Sequence, residues 1–287
     1  MPSLKDLRNR ISSVKSTKKI TSAMKMVAAA KLKRAQDNAE QTRPYADKMD
    51  EIVSSLVNNK KNQNFKFGSR SENKNVLLII CSADRGLCGG FNGSIIKFSK
   101  KLSEQLSSEG KNLSYIFVGK KAYFSLKRSC ENSIVNFFSD IANPSIKFDL
   151  ASSIRDKIIE LFLENKIDEC HLVYTKFQSA ISQNVESFQI LPLDNKEKTE
   201  SLNASYDFEP DEEVILNEII PRNIAIQIHR ALLENLASEQ GSRMTAMDNA
   251  TRNANDMIDN LTLFYNRSRQ ALITSELIEI ISGAEAV

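Results

Sequence analysis

The sequence predicts a protein of mixed class, in which two long terminal helices form an antiparallel coiled coil and a central α/β domain lies between them in sequence. Residues 4–43 contain neither proline nor glycine. No proline follows Pro221, and the only glycine between it and Gly283 is Gly241. Between these ends, short apolar runs alternate with amphipathic segments, as in βαβ units. The predicted segments are 1–57 for the N-terminal helix, 74–195 for the α/β domain and 210–287 for the C-terminal helix.

The N-terminal helix carries two apolar stripes that differ in phase. The first stripe is formed at helical spacing by Leu4, Leu7, Ile11 and Val14. After the polar run KSTKK, the apolar set restarts at Ile20, Met24 and Val27. Pro44 is expected to kink or interrupt the helix, because proline lacks an N–H and clashes with the preceding turn. A helical pattern then resumes from Met49 to Val57.

The C-terminal helix carries a coiled-coil seam. A helix of some sixty residues would be about 90 Å long, which exceeds a small domain and calls for a partner helix. The N-terminal helix supplies that partner. The seam alternates steps of four and three through Leu233, Ala237, Gln240, Met244, Met247, Thr251, Ala254, Ile258, Leu261, Tyr265, Ser268 and Leu272. Its small and polar members predict close packing without strong adhesion.

The central segment predicts a Rossmann-like α/β domain. Its strands are predicted at 76–81, 115–119, 133–138, 171–177 and 185–193, and its helices at 95–106, 122–127 and about 145–165. A polar loop at 60–75 precedes the first strand. The last two strands are separated by a short polar turn, which favours an antiparallel hairpin at the end of the sheet.

A glycine-rich turn follows the first strand and precedes a helix, which is the context of a phosphate-binding loop. Its glycines are Gly86, Gly89, Gly90 and Gly93. Their spacing matches neither GxGxxG nor GxxxxGK[ST], and the next strand lacks a terminal acid for a ribose. We therefore predict a structural turn that binds no nucleotide. In it, the glycines allow a tight turn and a close helix approach, and Asp84 and Arg85 fix the loop.

Composition excludes several classes of protein. The 287 residues are 41% hydrophobic and 26% charged, which is ordinary for one or two globular domains. No run is apolar enough to cross a membrane. The four cysteines form no CxxC pair, and the two histidines, His171 and His229, are predicted to be structural. We expect no metal, no cofactor, no disulfide framework and no catalytic constellation, and a reducing intracellular compartment.

The charge is concentrated at the N-terminus. Residues 1–34 hold ten Lys or Arg and one acid, Asp6, although the whole chain is only +3. An acidic partner, a solvated helix face, an organelle transit peptide and a nucleic-acid contact all fit such a charge. Nucleic acid is disfavoured because this helix lacks aromatic residues for stacking and no base-reading motif accompanies it.

Three long motifs resemble a known family. They are LRNRISSVKSTKKITSAMKMVAAAKLKRAQ at the start, SADRGLCGGFN in the middle, and LASEQGSRMTAMDNATRNANDMI with LFYNRSRQALITSELIEIISGAEAV at the end. In this order, over essentially the whole chain, they resemble the γ subunit of F-type ATP synthase. The resemblance implies a central-stalk rotor that couples ion-driven rotation of the membrane c ring to conformational changes at catalytic sites on β subunits. It also implies that the chain itself is not catalytic.

The resemblance implies specific partners and residues. Three α and three β subunits would surround the coiled coil, and the ε subunit and c ring would join the α/β domain and lower coiled coil, without nucleic acid and without direct membrane insertion. The rotor–stator coupling residues carried over are Met24, Arg243, Arg269, Gln270 and Thr274. The apolar tip would consist of Leu272, Ile273, Leu277, Ile278, Ile280 and Ile281. A basic face toward acidic β loops would consist of Lys18, Lys19, Lys25, Lys31, Lys33 and Arg34.

The expected location is the cytoplasmic face of a bacterial inner membrane, as a peripheral subunit, because no separate leader is apparent. The matrix side of the mitochondrial inner membrane is the alternative.

Two other functional classes stay open: a scaffold that binds nucleic acid through its basic coiled coil, and an α/β enzyme acting at the glycine-rich turn. Gly241 predicts local flexibility, because glycine inside a helix costs about 1 kcal/mol relative to alanine.

Overall fold

A computed structural model describes residues 3–59, 67–68, 74–142, 145–179, 182–193 and 212–285. The chain forms two compact units. The first consists of Met1–Ala29 with Arg243–Val287, and the second consists of Ala30–Ser242. Helices α1 (Leu4–Asn59) and α5 (Glu212–Glu285) contribute to both units. The predicted combination of long terminal helices with a central α/β domain is confirmed.

The second unit contains a five-stranded sheet in the order β3-β2-β1-β4-β5. The strands are β1 (Asn75–Cys81), β2 (Asn112–Val118), β3 (Ile134–Phe138), β4 (Glu169–Phe177) and β5 (Gln183–Leu191). The first four pair in parallel, and β5 runs antiparallel to β4. All five predicted strands are therefore present, and the predicted hairpin closes one end of the sheet.

Helices cover both faces of this sheet. Leu77 and Ile79 of β1 belong to a core cluster with α4 (Phe148–Leu163) and part of α5. Leu78 and Ile80 belong to a second cluster with α2 (Phe91–Ser108) and α3 (Lys120–Leu126). A strand that is buried on both faces has no face exposed to water and therefore no alternating polar residues. This is why β1 is an unbroken apolar run in the sequence.

Helix α1 continues through Pro44, so of the two expected effects of this proline, a kink or an interruption, the interruption does not occur. Proline removes the hydrogen bond to the carbonyl four residues earlier, which belongs to Glu40. Both Glu40 and Pro44 are exposed, where water can bond the freed carbonyl. The helix begins with a reciprocal cap: Asp6 N donates to Ser3 Oγ at 3.1 Å, and Ser3 N donates to Asp6 Oδ2 at 3.3 Å.

In the first unit, α1 buries one unbroken stripe rather than two stripes of different phase. At steps of four and three, the less exposed positions continue past Val14 through Lys18, Thr21, Lys25 and Ala28. Ile20 and Val27, which were predicted to restart the apolar stripe, are 59% and 57% exposed. The predicted restart is wrong because it followed apolar residues alone.

Polar cross-helix pairs explain how the stripe passes through polar positions. Thr21 Oγ1 lies 2.8 Å from Thr251 Oγ1 on α5. The Lys25 ammonium bonds the Asp248 carboxylate, and this bond holds the pKa of Asp248 below its usual range. Thr21 and Lys25 therefore each face a polar group on α5, so neither is covered without a hydrogen-bonding partner.

The predicted seam of α5 is confirmed in the first unit. Met247 and Ala254 are buried. Between Asp256 and Ser282, the only residues that are not exposed are Ile258, Leu261, Tyr265 and Ser268. Near the N-terminus of α1, Arg8 Nη2 donates to Tyr265 Oη at 3.1 Å. Leu272, the last predicted seam position, is exposed, so the seam ends at Ser268.

In the second unit, α1 and α5 are joined by polar contacts beside the apolar core. Arg230 Nη1 donates to Asp47 Oδ1 at 2.7 Å, and Gln227 Nε2 donates to the Ala46 carbonyl at 3.3 Å. Most of the predicted loop at 60–75 and the predicted boundaries at 195 and 210 lie outside the described residues.

Candidate functional site

The turn after β1 is held by Asp84, as the sequence predicts. Asp84 Oδ1 accepts a hydrogen bond from Lys120 N at 3.2 Å, and Oδ2 accepts one from Ile141 N at 3.0 Å. The carboxylate therefore joins the segments that follow β1, β2 and β3. Both oxygens accept hydrogen bonds from backbone N–H groups, so Asp84 has a structural role at this edge of the sheet.

Arg85 has an exposed side chain. The pKa of Asp140, which follows β3, is lowered chiefly by the bonds from Lys120 and Ser139, and the charge of Arg85 helps to lower it further. The backbone carbonyl of Arg85 accepts a weak contact from the Cys88 thiol, with 3.9 Å between the sulfur and the oxygen. Asn92, which the sequence analysis did not single out, has the larger role. Its Oδ1 accepts from Ala83 N at 3.1 Å, and its Nδ2 donates to Cys88 Sγ at 3.0 Å.

Of the two roles predicted for the glycines of the turn, the structure supports one. Gly89 has a φ of 57°, which agrees with a tight turn that favours glycine. A Cβ on Gly86 would meet only the Lys121 side chain at an ordinary 3.7 Å, and a Cβ on Gly90 would meet nothing within 4 Å. The predicted close helix approach at these two positions is therefore wrong. The close approach lies at Gly119, in the segment after β2.

Burial shifts the core thiols and imidazoles toward their neutral forms. Burial raises the pKa of the Cys81 thiol to about 12 and also raises that of Cys170, so both stay protonated at neutral pH. Burial lowers the pKa of His171 and of His229, which favours neutral imidazoles. Among the described residues, no group of three or more His, Cys, Asp or Glu side chains is placed to hold a metal ion.

The coupling residues suggested by the family resemblance differ in exposure. Met24 and Arg243 are half-buried in the first unit. Arg269, Gln270 and Thr274 are exposed on α5, and Thr274 Oγ1 donates back to the Gln270 carbonyl at 2.9 Å. That bond directs the threonine hydroxyl to its own helix.

The suggested basic face is not one uniform surface. Lys19 in the first unit is exposed, as are Lys31, Lys33 and Arg34 in the second unit. Lys18 and Lys25 instead occupy the stripe that α1 presents to α5, and Lys25 pairs with Asp248. Lys18 and Lys25 are therefore only partly exposed, unlike the other four residues suggested for this face.

The end of α5 exposes apolar side chains. After Ser268, every residue whose burial the structure describes is exposed. The six residues suggested as an apolar tip are between 46% and 67% exposed: Leu272, Ile273, Leu277, Ile278, Ile280 and Ile281. They lie on several sides of the helix, since spacings of one, three and four all occur. A soluble helix rarely exposes so many large apolar residues unless a partner covers them.

We expect Thr21 and Thr251 to behave as an interacting pair. Thr21→Val or Thr251→Val alone leaves one hydroxyl without its cross-helix partner and lowers the free energy of unfolding by about 1 kcal/mol. The double replacement places two apolar isosteres together and recovers most of that loss. Thermal unfolding of the full chain, followed by circular dichroism, measures the cycle. Thr262→Val, on the exposed side of α5, is the control. Single losses that simply add in the double variant would contradict the pairing.

None of the described helices is long and apolar enough to span a membrane.

Residues 3–287 match the family model described as ATP synthase. The ATP synthase gamma chain of Pelagibacter ubique is 52% identical over 291 residues, and that of Paracoccus denitrificans is 49% identical over 290 residues. Each alignment covers 100% of both proteins.

Solved structures are similar as well. The central stalk and c-ring structure of the Tetrahymena thermophila mitochondrial ATP synthase contains a chain with 30% identity and a TM-score of 0.63, which covers 80% of this chain and 99% of its own. A chain of the Euglena gracilis mitochondrial ATP synthase rotor shares the fold, with a TM-score of 0.67 at 19% identity, over 94% of this chain and 98% of its own. By its sequence over its full length, the chain belongs to the ATP synthase gamma chain family.

Proposed function

We propose that the chain is the central-stalk rotor subunit of an ion-translocating ATP synthase. It turns inside a ring of three α and three β subunits, and its α/β domain and lower coiled coil join the ε subunit and the membrane c ring. Ion flow through the membrane sector turns the rotor, and the rotor drives the β sites through different nucleotide affinities. ATP synthesis and ATP hydrolysis are the two directions of this coupling.

The exposed apolar end of α5 is the observation that carries the proposal. Six large aliphatic side chains there are about half exposed or more, beyond the last seam residue, Ser268. Burying such side chains in a sleeve of partner subunits removes them from water at roughly 25 cal/mol per Å² of apolar surface. Aliphatic contacts without directional hydrogen bonds also allow the helix end to turn inside that sleeve.

An asymmetric rotor in a threefold ring gives each β subunit a different contact surface. The rotor biases the β conformations through differences in contact free energy, and nucleotide occupancy must bias the rotor orientation in return. Deep and specific contacts with the ring would trap the rotor at one angle, so the non-directional apolar contacts of the tip suit this task.

The proposed coupling residues are Met24, Arg243, Arg269, Gln270 and Thr274. Arg269 and Gln270 reach a β-subunit loop, where the guanidinium offers a fork of donors and the amide offers both a donor and an acceptor. The exposed basic residues Lys19, Lys31, Lys33 and Arg34 face acidic β loops. The proposed tip residues rest in the upper part of the ring.

The chain is proposed to be non-catalytic, with the catalytic groups on the β subunits. This agrees with the protonated core thiols and with Asp84, whose oxygens both bond backbone groups. The proposed location is the cytoplasmic face of a bacterial inner membrane, since the two gamma chains reported above are bacterial.

Co-expression with α and β subunits tests the proposal. We expect the three chains to purify as one complex, with cooperative ATP hydrolysis well above that of α and β alone. Failure to assemble, or assembly without that gain, would refute the rotor function. Duplex DNA binding by the isolated chain that weakens steeply with salt would favour the nucleic-acid scaffold instead.

A further inference from the structure

Strand β4 extends beyond its parallel neighbour. Strand β1 pairs with β4 from Val76 opposite Glu169 to Ile80 opposite Val173. Strand β4 continues to Phe177 and pairs on its other side with β5. Backbone groups alternate between the two sides of a strand, so Thr175 turns its N–H and C=O to the same side as Val173. On that side, β1 has already ended.

Side chains of α5 take the place of the missing strand at Thr175. Thr175 N donates to Asn235 Oδ1 at 3.1 Å, and Ser238 Oγ donates to the Thr175 carbonyl at 3.1 Å. Thr175, Asn235 and Ser238 are all buried. Both backbone groups of Thr175 are thus satisfied by a helix, and neither bond can be replaced by water without opening the core.

A third bond continues the same line along α5. Ser242 Oγ donates to Gln183 Oε1. Gln183 is the first residue of β5 and lies opposite Phe177 in the hairpin. Asn235, Ser238 and Ser242 follow one another at steps of three and four, so they share one face of the helix. Helix α5 is therefore bonded to the β4–β5 hairpin at three positions between Asn235 and Ser242.

These bonds differ in kind from the apolar contacts beside them. Ile224, Ile228 and Leu232 of α5 pack into the core of the sheet. Apolar contact is non-directional, and it tolerates sliding and rotation of a helix on its support. Hydrogen bonds weaken steeply when distance or angle changes, so they fix one position along the helix and one rotation about its axis.

We propose that Asn235 and Ser238 are positioning residues that lock α5 to the sheet, so that rotation of the α/β domain is passed to the helix without slip. The inference rests on the proposed rotor function. Apolar packing holds the helix against the domain, and the two side chains set its register there. Ser242 extends the lock to β5.

The test uses the assembled ATP synthase in everted membrane vesicles. Two quantities are measured on the same vesicles: the rate of ATP hydrolysis, and the ATP-driven membrane potential reported by a dye, which does not depend on the identity of the ion. The variants are Ser238→Ala, Asn235→Ala and the two combined. Asn217→Ala, at an exposed position on α5 in the same unit, is the matched control.

We expect the double variant to hydrolyse ATP within about twofold of the unmodified complex, and its initial rate of potential generation per ATP hydrolysed to fall by about fivefold. Ser238→Ala is the mildest change and gives a smaller fall in the rate of potential generation per ATP hydrolysed. It replaces the double variant in the test if the double variant does not assemble. Asn217→Ala leaves the ratio unchanged.

An unchanged rate of potential generation per ATP hydrolysed in the assembled variants would contradict the proposed role of Asn235 and Ser238. So would a proportional fall of both activities, because that pattern reports only a smaller amount of folded complex. A chain of natural sequence that fails to assemble with α and β would refute the proposed rotor function itself, which separates the two failures.

Discussion

Replacing Gly119 with alanine is expected to destabilise the α/β domain by about 4 kcal/mol, which is a large part of the stability of a typical domain. A Cβ at this position would lie 2.2 Å from the Ser82 carbonyl oxygen, 2.7 Å from its carbon and 2.9 Å from Ser82 Oγ. Gly119 also has a φ of 100°, which side chains rarely adopt. The clash involves backbone, so neither β1 nor β2 can relieve it without shifting.

The position of Ser82 adds to the cost. Ser82 Oγ accepts a hydrogen bond from Ala122 N at 3.0 Å, and Ser82 N donates to the Val118 carbonyl at 2.7 Å. A displacement that makes room for a methyl group at 119 would therefore strain the start of α3 and the end of the β1–β2 ladder together. Both bonds are buried, and each broken one leaves an unpaired group.

Urea unfolding of the full chain, followed by circular dichroism, measures this loss as a lower midpoint. Gly93→Ala is the matched control, because a Cβ there would meet nothing within 4 Å and the residue lies in α2. The control is expected to gain stability, by up to about 1 kcal/mol from helix propensity. Equal midpoints for Gly119→Ala and the natural sequence would contradict the close approach at this site.

Removing the side chains of Arg269 and Gln270 together is expected to lower ATP hydrolysis by the assembled complex by about tenfold or more. Both residues are exposed on α5, and we propose that both reach a β-subunit loop. Hydrogen bonds to charged groups contribute about 1.5–3 kcal/mol each, and a bond made in only some rotor positions changes the barrier between them. Arg269→Lys should not restore the rate, because an ammonium lacks the planar fork of donors.

The measurement is the steady-state hydrolysis rate of complexes purified with equal subunit content. Arg267→Ala is the control, since Arg267 is also exposed on α5 but lies on another side of the helix from Arg269. A double variant that assembles and hydrolyses ATP at the normal rate would remove Arg269 and Gln270 from the proposed coupling set.

The buried faces of helices and strands can be predicted from the sequence, because buried positions recur with the period of the helix or strand. The seam of α5 from Met247 to Ser268 was placed residue by residue, since steps of four and three select one face of a helix. The strands were found for the same reason, as short apolar runs between turns. Leu272 marks the limit of this method, because periodicity does not tell where the partner helix begins.

The errors arose where a partner decides the outcome. Ile20 and Val27 were assigned to the buried stripe for being apolar, while Thr21 and Lys25 hold those positions through Thr251 and Asp248. Whether a residue is buried depends on which side of the helix faces its neighbour. A single sequence indicates that side only by the average spacing of its apolar residues.

Two important residues carried no local signal. Gly119 is needed because Ser82, distant in sequence, passes against its backbone. Asn92 matters because its amide reaches both Ala83 N and the Cys88 sulfur across the turn. The glycine-rich turn drew attention by composition, yet only Gly89 among the glycines there has a positive φ. Close approaches of this kind are properties of the folded backbone.

The unbroken stripe of α1 in the first unit has a mechanical consequence. Its steps of four and three repeat every 3.5 residues on average, slightly less than one turn of a straight helix, and two helices that keep such stripes in contact must wind around each other with a left-handed twist. A left-handed pair is tightened by torque of one sign and loosened by torque of the other. The torsional stiffness of this unit therefore depends on the sense of rotation. Unwinding would strain the polar pairs at Thr21 and Lys25, because hydrogen bonds depend on distance and angle.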